Sequence, residues 1–170
     1  MEMRESALDY ASRGWAVFAV HSIQNGCCTC GNRFCKAPGK HPVYPGGYTI
    51  ATKDSAQIAE IWHFGSNFNI GIATGSVSGI FVLDVDVGKK NGVETLARLE
   101  ANNPLLKRSL VAKTGSGGLH LYFEMPDRPM RSSAGKLGEG LDIRADGGHV
   151  VAPPSLHISG NRYIWENKNE

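Results

Sequence analysis

Gly79-Ile80-Phe81-Val82-Leu83-Asp84-Val85-Asp86 is an apolar run of strand formers that ends in two carboxylates one residue apart. Ile80 to Leu83 suit a buried strand, whereas ionised groups at its end must be paired, solvated or bound to a cation. Positions two apart in a strand share a face, so Asp84 and Asp86 are expected to project together. Like charges held that close repel, and a divalent ion relieves the repulsion. Hard carboxylate oxygens select Mg²⁺ or Mn²⁺. An isolated Asp-x-Asp is more often a solvated turn, so the rest of the chain has to carry the metal reading.

Moving outward, the flanking segments alternate short strands and helices. Asn69 to Gly75 reads as a strand before a tight connection, which predicts an antiparallel neighbour for the Asp84 strand. Val93 to Asn102 is an amphipathic helix stopped by Pro104. Ser109 to Lys113 and Leu119 to Phe123 flank the glycine-rich turn Thr114-Gly115-Ser116-Gly117-Gly118 and read as a hairpin, with His120 and Tyr122 on one face. The turn is not a Walker A loop, because the closing Gly-Lys-Ser/Thr and the following helix are missing. Its backbone N–H groups, Gly118 included, and the Thr114 and Ser116 hydroxyls still form an anion-binding concavity by composition. Residues 126–140 are polar and glycine-containing and are expected to be mobile. Leu141 to Arg144 is a short strand with Asp142 and Arg144 on one face. His149 to Ala152 and Tyr163 to Trp165 are further strands. Toward the N-terminus, Ser6 to Gly14 and Ala56 to Phe64 read as helices, the second capped by Asp54 or Ser55, and Trp15 to Val20 as a buried strand. This pattern is α+β rather than a strict βαβ alternation.

Cys27, Cys28, Cys30 and Cys35 fall within nine residues and His41 follows. Soft sulfur ligands plus one imidazole suit tetrahedral Zn²⁺, and the set read here is Cys28, Cys30, Cys35 and His41, with Cys27 as a spare. A closed four-ligand site is structural and would hold a loop, about 26–42, that has too few apolar residues to hold itself. Arg33, Lys36 and Lys40 make that loop basic and able to meet a phosphate backbone.

The formal net charge is +2, so composition does not by itself announce nucleic acid. No apolar run is long enough to cross a bilayer and the first ten residues lack a signal-peptide core, which excludes a membrane role and reads as cytoplasmic. The length suits one domain, 1–170.

Three carboxylates, Asp84, Asp86 and Asp142, with His120 and a hydroxyl-bearing glycine turn, make a template for two-metal phosphoryl transfer. His120 and Ser116 would hold triphosphate oxygens, with Lys113 or Arg144 adding charge. At these residues the chain resembles the bifunctional primase-polymerase domains of the archaeo-eukaryotic primase superfamily, found on plasmids, phages and other mobile elements. The matching signatures are Leu83-Asp84-Val85-Asp86, Thr114 through Phe123, Leu141-Asp142-Ile143-Arg144 with Asp146 through Ser155, and Gly39-Lys40-His41-Pro42. The resemblance implies a primase-like core: an RNA-recognition-motif-like sheet with a second small α/β unit and the site between them. It also implies that Asp84, Asp86 and Asp142 carry metals and that His120 binds the incoming nucleotide. The implied partners are a DNA template, dNTP or NTP, and a helicase in the same or a separate chain. One departure stands out: relatives often carry serine two before the histidine, where this chain has Gly118. Two other readings use the same residues, a zinc-bearing nucleic-acid-binding module without catalysis and a metal-dependent nuclease. The triphosphate-type turn beside His120 favours the polymerase, since a nuclease has no need to grip three phosphates.

Overall fold

The structure is a computed structural model that describes residues 3–63, 66–88, 91–103 and 110–166. Phe64, Pro104 and Ser109, which the expected elements include, lie outside these residues. The described residues build an α+β fold in which every pairing between named strands is antiparallel. In chain order, α1 (Met3–Ser12) leads into β1 (Val17–Val20), followed by the small ribbon β2 (Ile23–Gln24) and β3 (Cys27–Cys28). A 3-10 turn (Gly47–Ile50), α2 (Ser55–Ile61), β4 (Asn69–Ala73) and β5 (Ile80–Val85) come next. Then come α3 (Gly92–Asn102), β6 (Leu110–Lys113), β7 (Leu119–Glu124), β8 (Ser133–Ala134), β9 (Leu141–Arg144), β10 (His149–Ala152) and β11 (Ile164–Trp165).

Two sheets organise these elements. The smaller has the order β1-β4-β10 and the larger β11-β6-β7-β5-β9-β8. β1 and β4 are buried on both faces, which suits the apolar run Val17–Val20 and, in β4, Ile70 to Ala73. Gly71 in β4 lies opposite Phe18, and a Cβ there would run into the Phe18 ring, so the glycine makes room for it. The connection 74–79 does not make the expected hairpin. β4 and β5 meet only at the bridge Gly75↔Ile80 and then diverge into different sheets. Gly75 takes the left-handed φ of 91° there, and the Ser78 side chain bonds Ala73 O and Ala16 N, which fixes the crossing. Residues 145–148 cross back from β9 to β10 beside it, tied by the Thr74 hydroxyl to Ala145 O at 2.8 Å.

Strand alternation gives the larger sheet two unlike faces. Leu83, Val85, Leu121, Phe123 and Leu141 pack on one side with Leu96 of α3. Ile80, Val82, Ala112 and Tyr122 face the other way, into the core shared with Tyr10, Trp15, Ile70 and Ile72. Trp15 stacks between Tyr10 at 5.7 Å and Tyr122 at 5.5 Å. Tyr122 is fully buried, so its truncation to alanine would cost about 3–5 kcal/mol. This second face is apolar only where the smaller sheet covers it. Along β5 the same side reads Ile80, Val82, Asp84 and then, one residue past the strand, Asp86.

The loop between β1 and the 3-10 turn is held at its roots. His21 N bonds His41 O at 2.9 Å and Val43 N bonds Ala19 O at 3.0 Å. Fully buried Asn69 uses its whole amide: Nδ2 donates to Gly39 O and Leu156 O, while Oδ1 accepts from Ser22 Oγ and Leu156 N. Residues 126–140, expected to be mobile, include β8, which pairs with β9. No helix among the described residues is long and apolar enough to cross a membrane.

Candidate active site and metal centre

Register builds the first site. β5 lies between β7 and β9, and Asp84 is opposite His120 on one side and Asp142 on the other. Residues opposite one another in paired strands share a face, so His120, Asp84 and Asp142 form a row across three strands. Arg144, two residues from Asp142, stands on the same face and bridges both acids, at 3.2 Å from Asp84 Oδ2 and 2.9 Å from Asp142 Oδ2. His120 Nε2 lies 3.5 Å from Asp84 Oδ1. His120 Nδ1 is buried and meets no partner among the described residues. Burial works to raise the Asp84 carboxyl, but His120 and Arg144 outweigh it and hold Asp84 below the usual carboxylate range. Asp84 is therefore a half-buried, ionised oxygen donor.

The His120–Asp84 end of the row opens into a cleft of about 570 Å³ at the junction of the two sheets. Volumes of several hundred Å³ suit a nucleotide-sized ligand. The larger sheet contributes Asp84, Asp86, His120 and Arg144, and the glycine turn contributes Thr114 and Ser116. Asp86 is exposed, and its backbone is fixed, with N bonded to Gly140 O and O accepting from Gly92 N. The Thr114 and Ser116 hydroxyl oxygens are 3.0 Å apart. Gly118 leaves no room for a serine, because a Cβ there would meet Val85 O. The hydroxyls at this turn therefore come from Thr114 and Ser116.

Other residues stand differently. Asp142 is beside Asp84 but not in the cleft wall, and its Oδ1 accepts from Gly135 N at 3.0 Å. The three carboxylates share one end of the sheet without presenting their oxygens to a single point: Asp84 and Asp142 are spanned by a guanidinium, not by a shared ligand position. Lys113 is exposed and opposite Leu119, on the face away from His120. Two side chains that the sequence did not single out, Tyr48 and His149, join the far wall, their rings 6.2 Å apart and 23° from parallel. Burial, with Arg144 nearby, holds His149 below its usual pKa. Tyr48 and His149 lie about a hundred positions apart, and no local signal links them.

The second site is local. Cys28, Cys30, Cys35 and His41 offer ligand atoms that all lie within 4.8 Å of one another. A tetrahedron with Zn–S near 2.3 Å has edges of about 3.8 Å, so this set fits a closed zinc site with little adjustment. Cys28 Sγ is 3.4 Å from His41 Nε2. Burial works to raise the Cys28 thiol, but the backbone N–H groups of Cys30 and Gly39, with His41, pull it down to about 7. That favours the thiolate a metal needs. Behind the site the His21 ring lies 4.6 Å from His41, and its Nδ1 pairs with Thr29 Oγ1 at 3.0 Å. Cys27 is exposed and outside the group. Among the described residues this is the only set of three or more such side chains gathered closely enough to hold one ion.

A search of curated proteins finds no match to the chain. The family model for the bifunctional DNA primase/polymerase N-terminal domain matches residues 7–170. Members of that family are primase/polymerase-type nucleotidyltransferases acting on nucleic acid and nucleotides, and they depend on metal. The match runs from the first helix through the last strand and takes in the acidic row, the glycine turn and the cysteine loop alike, and the chain belongs to the bifunctional DNA primase/polymerase family.

Proposed function

We propose that the chain is a primase-polymerase catalytic domain, 1–170, that extends, and on a bare template starts, a DNA or RNA strand by transferring a nucleotide from dNTP or NTP. The observation that carries this reading is the row His120–Asp84–Asp142, drawn from three strands, whose His120 and Asp84 line a cleft of nucleotide size. The arrangement supports a primase-like core with the site between a larger and a smaller unit.

Asp84, Asp86 and Asp142 would hold Mg²⁺ or Mn²⁺, since three hard carboxylate oxygens at one end of the sheet suit those ions. When bound, such ions lower the charge on the triphosphate and activate the attacking 3′-hydroxyl. Asp84 stays ionised through its contacts and so remains available as a ligand. Arg144 already stands between two carboxylates as their counter-ion, and its exposed edge would turn toward a phosphate. His120 and the hydroxyls of Thr114 and Ser116 would take triphosphate oxygens, helped by backbone N–H groups of the turn through Gly118. Lys113 faces away in its strand and would add charge only from the turn's outer side. The Tyr48–His149 stack also lines the cleft and would carry the base. Cys28, Cys30, Cys35 and His41 would hold a structural Zn²⁺ that shapes the part of the cleft lined by Ala37 and Lys40.

The test is incorporation of labelled nucleotide on a primed template with Mg²⁺ or Mn²⁺. The reading expects elongation that Asp84→Asn abolishes. Template binding without incorporation would favour a binding module, and strand shortening a nuclease.

A further inference from the structure

Among the described residues Phe34 is the most exposed large apolar side chain, at 82 %, with Ile164 next at 51 %. It is no frayed tail. Phe34 N donates to Asn32 Oδ1 at 2.9 Å and Cys35 N donates to Asn32 O at 3.1 Å, so a closed turn presents the ring. That turn lies between Cys30 and Cys35, two members of the cysteine–histidine group. Arg33 and Lys36 flank the ring and are exposed, as is Lys40. None of the three pairs with a carboxylate among the described residues. From Tyr10 to Lys53 the sequence holds no Asp or Glu at all, while it holds Arg13, Arg33, Lys36, Lys40 and Lys53. The loop is thus a cation-only surface with one bare aromatic at its tip. It also abuts the cleft, because Ala37 and Lys40 line it together with Asp84 and His120.

We propose that this tip is a single-strand contact, in which Phe34 stacks on an unpaired base while Arg33, Lys36 and Lys40 hold the neighbouring phosphates of the strand that leads into the cleft. The identity of that strand as template rests on the function proposed above. The chemistry selects the partner. A lone ring among glycine, asparagine and cations offers too little apolar area for a protein dock, which needs on the order of 1,000 Å². It offers no apolar band for a membrane surface either. A π-face beside unpaired cations matches a single strand, where every base has a face to stack and every phosphate a charge to pair. A duplex hides those faces.

The experiment is fluorescence anisotropy of a labelled oligothymidylate with the full chain, across a salt series. Phe34→Ala should weaken binding about tenfold, Phe34→Tyr should stay near wild type, and Phe34→Leu should resemble the alanine variant. Arg33→Gln and Lys36→Gln should each lower the salt slope by about 0.7. Metal content and circular dichroism of each variant report whether the loop is intact, and should Phe34→Ala lose its metal the leucine–tyrosine pair decides. Binding by Phe34→Ala within about twofold of wild type overturns the proposal, as does a leucine variant equal to wild type. An equal Phe34 effect on a blunt duplex, or a wild-type dimer that Phe34→Ala dissociates, overturns it as well. Phe34-dependent binding in a protein that extends no primer would sink the catalytic reading alone. Extension lost in Asp84→Asn, with binding indifferent to Phe34, would sink this one alone.

Discussion

The acidic cleft and the cysteine loop are opposite solutions to gathering ligands. The loop draws Cys28, Cys30, Cys35 and His41 from fourteen consecutive positions and brings their donor atoms within 4.8 Å of one another. The cleft draws Asp84, His120 and Asp142 from three strands through antiparallel register, and leaves a guanidinium between two of the acids. A local cluster can be closed by one ion and then has nothing left to do. A row with its own internal cation keeps its carboxylates charged while leaving them free to exchange that partner for another. On the function proposed, that difference is the one between a structural centre and a working one.

The largest contrast comes from removing one ligand from each site. Asp84→Asn should cut nucleotide incorporation about a thousandfold or more, corresponding to several kcal/mol of lost charge stabilisation, while bound zinc stays near one per chain. Cys28→Ser should do the reverse in elemental analysis: zinc is lost, and the melting temperature falls by about 5–10 °C for about 2–3 kcal/mol. If Cys28→Ser abolished incorporation with the fold and nucleotide affinity intact, the loop would not be merely structural.

Arg144→Gln sharpens the picture of the row. The guanidinium is partly exposed, so its two ion pairs are discounted for solvent and their loss should cost only about 1 kcal/mol in urea unfolding. Without that competing cation, Mn²⁺ should bind the acids a few-fold more tightly in the absence of nucleotide, while the KM for nucleotide rises. Unchanged Mn²⁺ affinity would mean the arginine and the metal do not share oxygens.

The smallest effect is a pH slope. Burial lowers the pKa of His149, as it does for His21 and His157, so the folded chain resists a proton that the unfolded chain takes up below about 6.5. The unfolded state then binds more protons, and stability falls as pH drops from about 7 toward 5. His149→Gln should flatten part of that slope in chemical denaturation, by less than about 1 kcal/mol.

How much of this could be read beforehand follows the same division. The cysteine–histidine set was legible because its members crowd one short stretch, where spacing alone limits the geometry. The Asp84–Asp86 and Asp142–Arg144 pairs were legible as same-face neighbours because a strand has period two. The crossing after β4 was not, since a short connection containing Gly75 and Gly79 reads equally well as a hairpin or as a change of sheet. Neither was the bridge by Arg144, nor the Tyr48–His149 wall, which depend on strand neighbours that no local pattern specifies. Lys113 shows the limit in the other direction: its place beside the glycine turn suggested a role, and strand alternation turns it to the far face.

The account stands or falls on whether Asp84 and Asp142, distant in sequence, act as one ligand set. Mn²⁺ titration followed by electron paramagnetic resonance, with and without a nucleoside triphosphate, tests this directly. The account predicts Mn²⁺ binding that the triphosphate strengthens and that Asp84→Asn and Asp142→Asn each weaken, with the double variant losing little more than either single one. Two aspartates whose effects simply add, or Mn²⁺ affinity indifferent to both, would contradict it.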